Sequence, residues 1–216
     1  MYIVVGNHGI GKTAFMSRLV DQASDISIAQ DPHEDAYDIS EAYEWTLERE
    51  LIRLKRHGEQ DLTTEAAPVL TQHSMYIQRY VFAYNAYMNG KIGDIEWDVY
   101  HHTYNEMSRR HSLPSGIIYL YTEPDIIGDY SPNNDRTVDI PLNDRKQIHN
   151  RYEDIFVRKS KDAEQLHRVP TIIVDYNLVI QGGDTDEMHK AIYEADRFIV
   201  ATERCRADQS VKVSTA

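Results

Sequence analysis

At 216 residues and a net charge of −12, from 23 Lys+Arg against 35 Asp+Glu, the chain has room for one α/β domain with a buried core and not for two substantial ones. Apolar residues make up 41% and charged residues 27%, which excludes disordered and low-complexity classes, and the acidic excess repels a phosphate backbone, so nucleic acid is not an expected partner. The single cysteine, Cys205, excludes an internal disulfide or a multi-thiolate metal site and suits a reducing, cytoplasmic compartment.

No stretch approaches the roughly 20 apolar residues of a membrane helix, and the start, Met1-Tyr-Ile-Val-Val-Gly6, lacks the basic and long apolar regions of a signal peptide. Short apolar runs predict strands at Tyr2 to Val5, Ile26 to Gln30, Pro68 to Gln72, Gly116 to Tyr121 and Thr171 to Asp175. Longer amphipathic stretches predict helices over Thr13 to Gln22 and Ser40 to Arg56. The second has Ser40 as N-cap, Tyr43, Leu47, Leu51 and Leu54 on one face, and Gly58 as its end. Further helices are expected over Ser74 to Asn89, Asp94 to Arg110, Leu142 to Ser160 and Asp186 to Val200. From Glu203 to Ala216 the sequence turns polar and predicts a frayed tail, leaving one domain over 1–202. Strands alternating with helices imply a five-stranded parallel sheet covered on both faces.

The strongest local signal is Gly6-Asn7-His8-Gly9-Ile10-Gly11-Lys12-Thr13, which satisfies G-x-x-x-x-G-K-[ST] directly after a strand and before a helix. Glycines let the backbone wrap a phosphate, the helix N-terminus presents N–H groups, Lys12 brings a point charge, and the Thr13 hydroxyl can hold Mg²⁺. The expected ligand is a nucleoside triphosphate, ATP or GTP. The second strand ends in Gln30-Asp31-Pro32, where a proline stops the ladder and leaves a carboxylate at the sheet edge beside this loop. Asp31 is thus a candidate general base, with a turn-capping aspartate as the alternative. The adjacent pair His101-His102 has no ligand spacing, and no zinc site is expected. Tyr80, Tyr84 and Tyr87 share one helical face, which suits core or subunit contact.

Arg79-Tyr80-Val-Phe82-Ala83-Tyr-Asn85-Ala-Tyr87, then Glu96-Trp97 and Tyr100, then Gly116-Ile117-Ile118-Tyr119-Leu120, Pro124 and Ile140-Pro141-Leu142 resemble the deoxyribonucleoside kinases of the deoxycytidine and deoxyguanosine kinase type. The resemblance implies a three-layer P-loop kinase fold with a lid segment at about 123–142, transfer of a γ-phosphate to a deoxynucleoside 5′-hydroxyl, and a homodimer packed through the helices after strand three. It implies Asp31 as general base, Tyr37 on the sugar 3′-hydroxyl, with a surface aromatic as the alternative, and Glu48, in place of a glutamine, on the base. Glu48 as a solvated helix residue is the alternative. Gln78 also falls where the family reads the base, and Arg79 among the substrate contacts. An ionised Glu48 only accepts hydrogen bonds, which suits guanine better than cytosine.

The pattern departs in two places. Gln72-His73-Ser74 stands where the family has Glu-Arg-Ser, and between Thr122 and Leu142 there is one arginine, Arg136, and no lysine, where the family brings several arginines. Arg136 is therefore the lid's candidate catalytic charge. A catalytically weakened nucleotide-binding protein and a kinase acting on a nucleoside monophosphate or modified nucleotide stand as alternatives.

Overall fold

The computed structural model describes residues 1–23, 25–29, 46–61, 67–126, 142–182 and 185–214. Five parallel strands, β1 (Tyr2–Val5), β2 (Ser27–Ile28), β3 (Val69–Thr71), β4 (Gly116–Tyr121) and β5 (Thr171–Asp175), form one sheet in the order β2-β3-β1-β4-β5. Tyr2 stands beside Leu70 on one side and Gly116 on the other, and Ile117 pairs with Thr171. All four residues of β1 are buried, as a central strand covered on both faces requires.

The two-residue alternation of β1 divides the interior into two cores. Ile3 and Val5 point to one face, where they join Leu54 of α2 (Leu47–Asp61), Met75 to Ala83, Tyr100 and Tyr104 of α5 (Asp94–Ser108), and Ile148 and Tyr152 of α6 (Leu142–Tyr152). Tyr2 and Val4 point to the other, among Phe15, Met16 and Leu19 of α1 (Lys12–Gln22) and Ile192, Ala195 and Ile199 of the last helix. The result is a helix–sheet–helix sandwich.

Between β3 and β4 the chain makes one helical run: α3 (Met75–Ile77), capped by the Ser74 hydroxyl accepting from the Tyr76 N–H, then a π-helical segment, Gln78–Ala83, then α4 (Tyr84–Met88). A second π segment, Glu153–Val157, extends α6. Two short helices that sequence periodicity does not predict, α7 (Glu164–His167) and α8 (Asn177–Ile180), flank β5.

Two expectations are corrected. Gly58 does not end α2, which runs on to Asp61; it lies buried inside the helix, its carbonyl oxygen 2.8 Å from His111 Nε2, with the Met107 methyl 2.6 Å from where a β-carbon would stand. The polar end is helical rather than frayed: α9 spans Thr185–Ser214, and its extension is tied to the sheet by the Tyr2 hydroxyl donating to Glu203 and by Arg206 donating to Ser115. The predicted N-cap Ser40 lies outside the described residues. None of the described helices is long and apolar enough to cross a membrane.

Candidate active site

The loop after β1 sits where the chain order of the sheet reverses, with β3 and β2 on one side and β4 and β5 on the other, which is where open parallel sheets bind ligands. Two glycines shape it. A β-carbon on Gly6 would stand 2.7 Å from the Leu120 carbonyl oxygen, and Gly11, the residue before α1, has φ +82°, a conformation that glycine adopts without strain. Lys12 Nζ donates to the carbonyls of Gly6 at 3.2 Å and Asn7 at 2.9 Å, folding the side chain over its own loop. Burial pushes the Lys12 ammonium down to about 8, because little water remains to solvate the charge.

The other loop side chains divide between structure and ligand. Asn7 is buried and donates through Nδ2 to the Arg145 carbonyl of α6 at 2.9 Å, while its Oδ1 accepts the His8 N–H. Ile10 is fully buried in the core under β1. The His8 ring packs against Phe82 with centroids 5.3 Å apart, and burial together with the nearby Lys12 and His73 lowers its pKa to about 3, so it is neutral. Gly9 and Thr13 are exposed. Gln72 Nε2 lies 3.4 Å from the Thr13 hydroxyl, bringing the first residue of the altered triplet to the loop.

Across from the loop, α2, the π segment and α5 enclose a buried polar cluster. Glu50 is 0% exposed; Arg53 donates to its Oε1 and Gln78 donates to its Oε2. Burial raises the Glu50 pKa, while Arg53 and the Gln78 amide pull it back toward the ionised form. Arg79 is buried with its guanidinium 4.3 Å from the centre of the Trp97 ring, and burial lowers its pKa. Its Nε and the Tyr100 hydroxyl have no hydrogen-bond partner among the described residues.

Gln78 and Arg79, neighbours at the start of the π segment, both lie in buried positions. Glu48 does not: it is exposed in the first turn of α2, and the inward carboxylate is Glu50, two residues on, about 200° around the helix. The signal that finds Glu50 is its place in the apolar stripe, three residues after Leu47 and four before Leu54. Arg53 follows from the same reading. Asp31, Tyr37 and Arg136 lie outside the described residues.

A parallel sheet in this order, with a phosphate loop leading from its central strand into a helix, is the P-loop kinase fold. Within that class, the chain belongs to the deoxynucleoside kinase family, whose model matches residues 2–199. It is 31% identical over 119 residues to rat (Rattus norvegicus) deoxycytidine kinase, covering 51% of this chain and 46% of the relative. Chicken (Gallus gallus) deoxycytidine kinase 2 is 31% identical over 114 residues, 49% of this chain and 43% of that protein. Xenopus laevis mitochondrial deoxyguanosine kinase is 22% identical over 211 residues, 80% of this chain and 79% of the relative. The matches to deoxycytidine kinases thus span about half the length of those relatives.

Proposed function

We propose that this chain transfers the γ-phosphoryl group of ATP or GTP to the 5′-hydroxyl of a deoxynucleoside. The observation that carries the reading is the contact between its two halves: His8 of the phosphate loop packs on Phe82, which shares the π segment with Gln78 of the buried polar cluster. A triphosphate on the loop and a base at the Glu50–Gln78 pair then face one another.

In this reading the loop N–H groups and Lys12 hold the β- and γ-phosphates, and Asp31 accepts the 5′-hydroxyl proton as the nucleophilic oxygen bonds to the γ-phosphorus. The bond from that phosphorus to the β–γ bridging oxygen breaks, and the nucleoside diphosphate leaves. The Thr13 hydroxyl is a hard oxygen donor that fits Mg²⁺, which when bound would neutralise phosphate charge; Gln72 turns its Nε2, which is no metal ligand, toward that hydroxyl. Gln72 adds no negative charge there, and Arg136 and Arg79 are the remaining cations assigned to the substrates. Tyr37 is assigned to the sugar. The base is assigned to the Glu50–Gln78 pair: Glu50 is enclosed, with Arg53 and Gln78 donating to it, and a base that takes the place of the Gln78 amide there meets a carboxylate acceptor, which suits adjacent N–H groups, guanine first. Met88, Ile95 and Val99 are exposed apolar residues on α4 and α5 that support a homodimer, and one exposed cysteine supports a cytoplasmic setting.

A weakened nucleotide-binding protein is the second reading, and the neutral Gln72 beside Thr13 favours it. Incubation with γ-labelled ATP and each of the four deoxynucleosides separates the two. Labelled deoxynucleoside 5′-monophosphate, absent with Lys12→Ala, is the expected outcome. Stabilisation by ATP without transfer to any nucleoside overturns the kinase reading in favour of the second.

A further inference from the structure

We infer that α6 is a strut joining the phosphate loop to the acceptor-side π segment, and that Arg151 is the positioning residue that sets this spacing. At one end, α6 meets the loop through its Arg145 carbonyl, which accepts from Asn7 Nδ2. At the other, Arg151 Nε donates to the Tyr80 carbonyl at 2.6 Å, in the middle of the π segment that carries Gln78, Arg79 and Phe82.

Arg151 is built for one position. It is 5% exposed, its guanidinium lies 3.7 Å from the centre of the Tyr84 ring, and its Nη2 pairs with Asp162 from the short 3₁₀ turn Lys161–Ala163. The planar fork thereby spans a backbone carbonyl, a carboxylate and an aromatic face together. A lysine ammonium has the charge but no fork, so it does not hold the first two at once. A π segment packs its side chains differently from an α-helix of the same length, and such segments recur at functional sites. Here Gln78, the first residue of the segment, donates to Glu50, and Arg151 holds the Tyr80 carbonyl two residues on.

The kinetic consequence rests on the proposed kinase activity; the structural one does not. In amide hydrogen exchange on the full chain, Arg151→Lys should accelerate exchange in 78–88 while leaving 116–121 unchanged. Where transfer is measured, with the better of deoxyguanosine and deoxycytidine, kcat/KM for the acceptor should fall between about 10- and 100-fold, the scale on which misplaced reactants lose rate, with the ATP dependence of thermal stabilisation unchanged. Asp162→Asn keeps the bond to Tyr80 and should lose less. Wild-type exchange and kinetics in Arg151→Lys would overturn the inference, as would a uniform acceleration that includes 116–121. An absence of transfer by the wild-type chain overturns the kinase reading instead, and hydrogen exchange then decides for or against the strut by itself.

Discussion

Lys12 shows how one enclosed charge ties the fold to its chemistry. Its ammonium is held by two carbonyls and poorly hydrated, so its pKa falls to about 8, below that of a solvated lysine. A triphosphate needs the charged form. Below pH 8 the cation is already present, and above it binding must take up a proton. ATP affinity should therefore be flat below about pH 8 and fall by up to about tenfold per unit above it. Titration calorimetry from about pH 6.5 to about pH 9.5, on both sides of that pKa, reads this directly. Lys12→Arg, charged throughout, should flatten the profile. For stability the sign is opposite: the folded state binds fewer protons than the unfolded chain, so this group's contribution rises with pH from 8 toward the ordinary lysine value. Glu50 behaves in the reverse sense, since its raised pKa makes its contribution greatest at low pH and lost as pH climbs through the folded value.

Among the elements, the strands are the most legible from sequence and the helix registers the least. The bounds of β1, β4 and β5 coincide with the apolar runs that predict them; β1 and β4 are buried on both faces, which leaves a short continuous run with sharp polar edges, while the edge strand β5 is partly exposed and is bounded by Pro170 and Asp175. A helix rich in charge blurs this. In α2 Glu48 and Glu50 are both charged residues of the first turn; the place of Glu50 between Leu47 and Leu54 is the one sequence signal that it turns inward, and the packing of Gln78 and Arg53 around it bears that out. The same limit applies to glycine: Gly58 carries a stop signal in sequence, but the contact with α5 decides its role. Two glycine substitutions test that distinction. At Gly116 a β-carbon would meet the rings of Tyr2 and Phe198 at 2.8 Å, packed edge to face, so Gly116→Ala should destabilise by about 1–3 kcal/mol. At Gly58 the obstacle is the flexible end of Met107; that methyl can swing aside, and a helical alanine gains up to about 1 kcal/mol over glycine, so Gly58→Ala should be near neutral or stabilising. Urea denaturation of both variants checks the contrast.

At the scale of the whole molecule, one sheet carries the phosphate loop and the buried polar cluster on neighbouring elements. The phosphate loop is readable in sequence because strand, glycines, lysine and helix lie within a dozen residues. The acceptor side is readable only in part, since Glu50, Gln78 and Arg151 come from three separate helical elements and meet only after folding. The π segment has no periodicity that sequence reveals. That these halves form one active site is the central claim, and a compound joining adenosine to a deoxynucleoside through five phosphates tests it most directly. Titrated with the wild-type chain, the deoxyguanosine form should bind at least about tenfold more tightly than ATP, because the second contact becomes intramolecular. Lys12→Ala should abolish binding of both compounds. Glu50→Gln should leave ATP affinity intact and remove most of the advantage of the linked compound, a loss on the scale of an unpaired buried group, about 1–3 kcal/mol. Linked compounds of deoxyguanosine and deoxycytidine that bind no better than ATP, or an advantage that survives Glu50→Gln, would contradict the account.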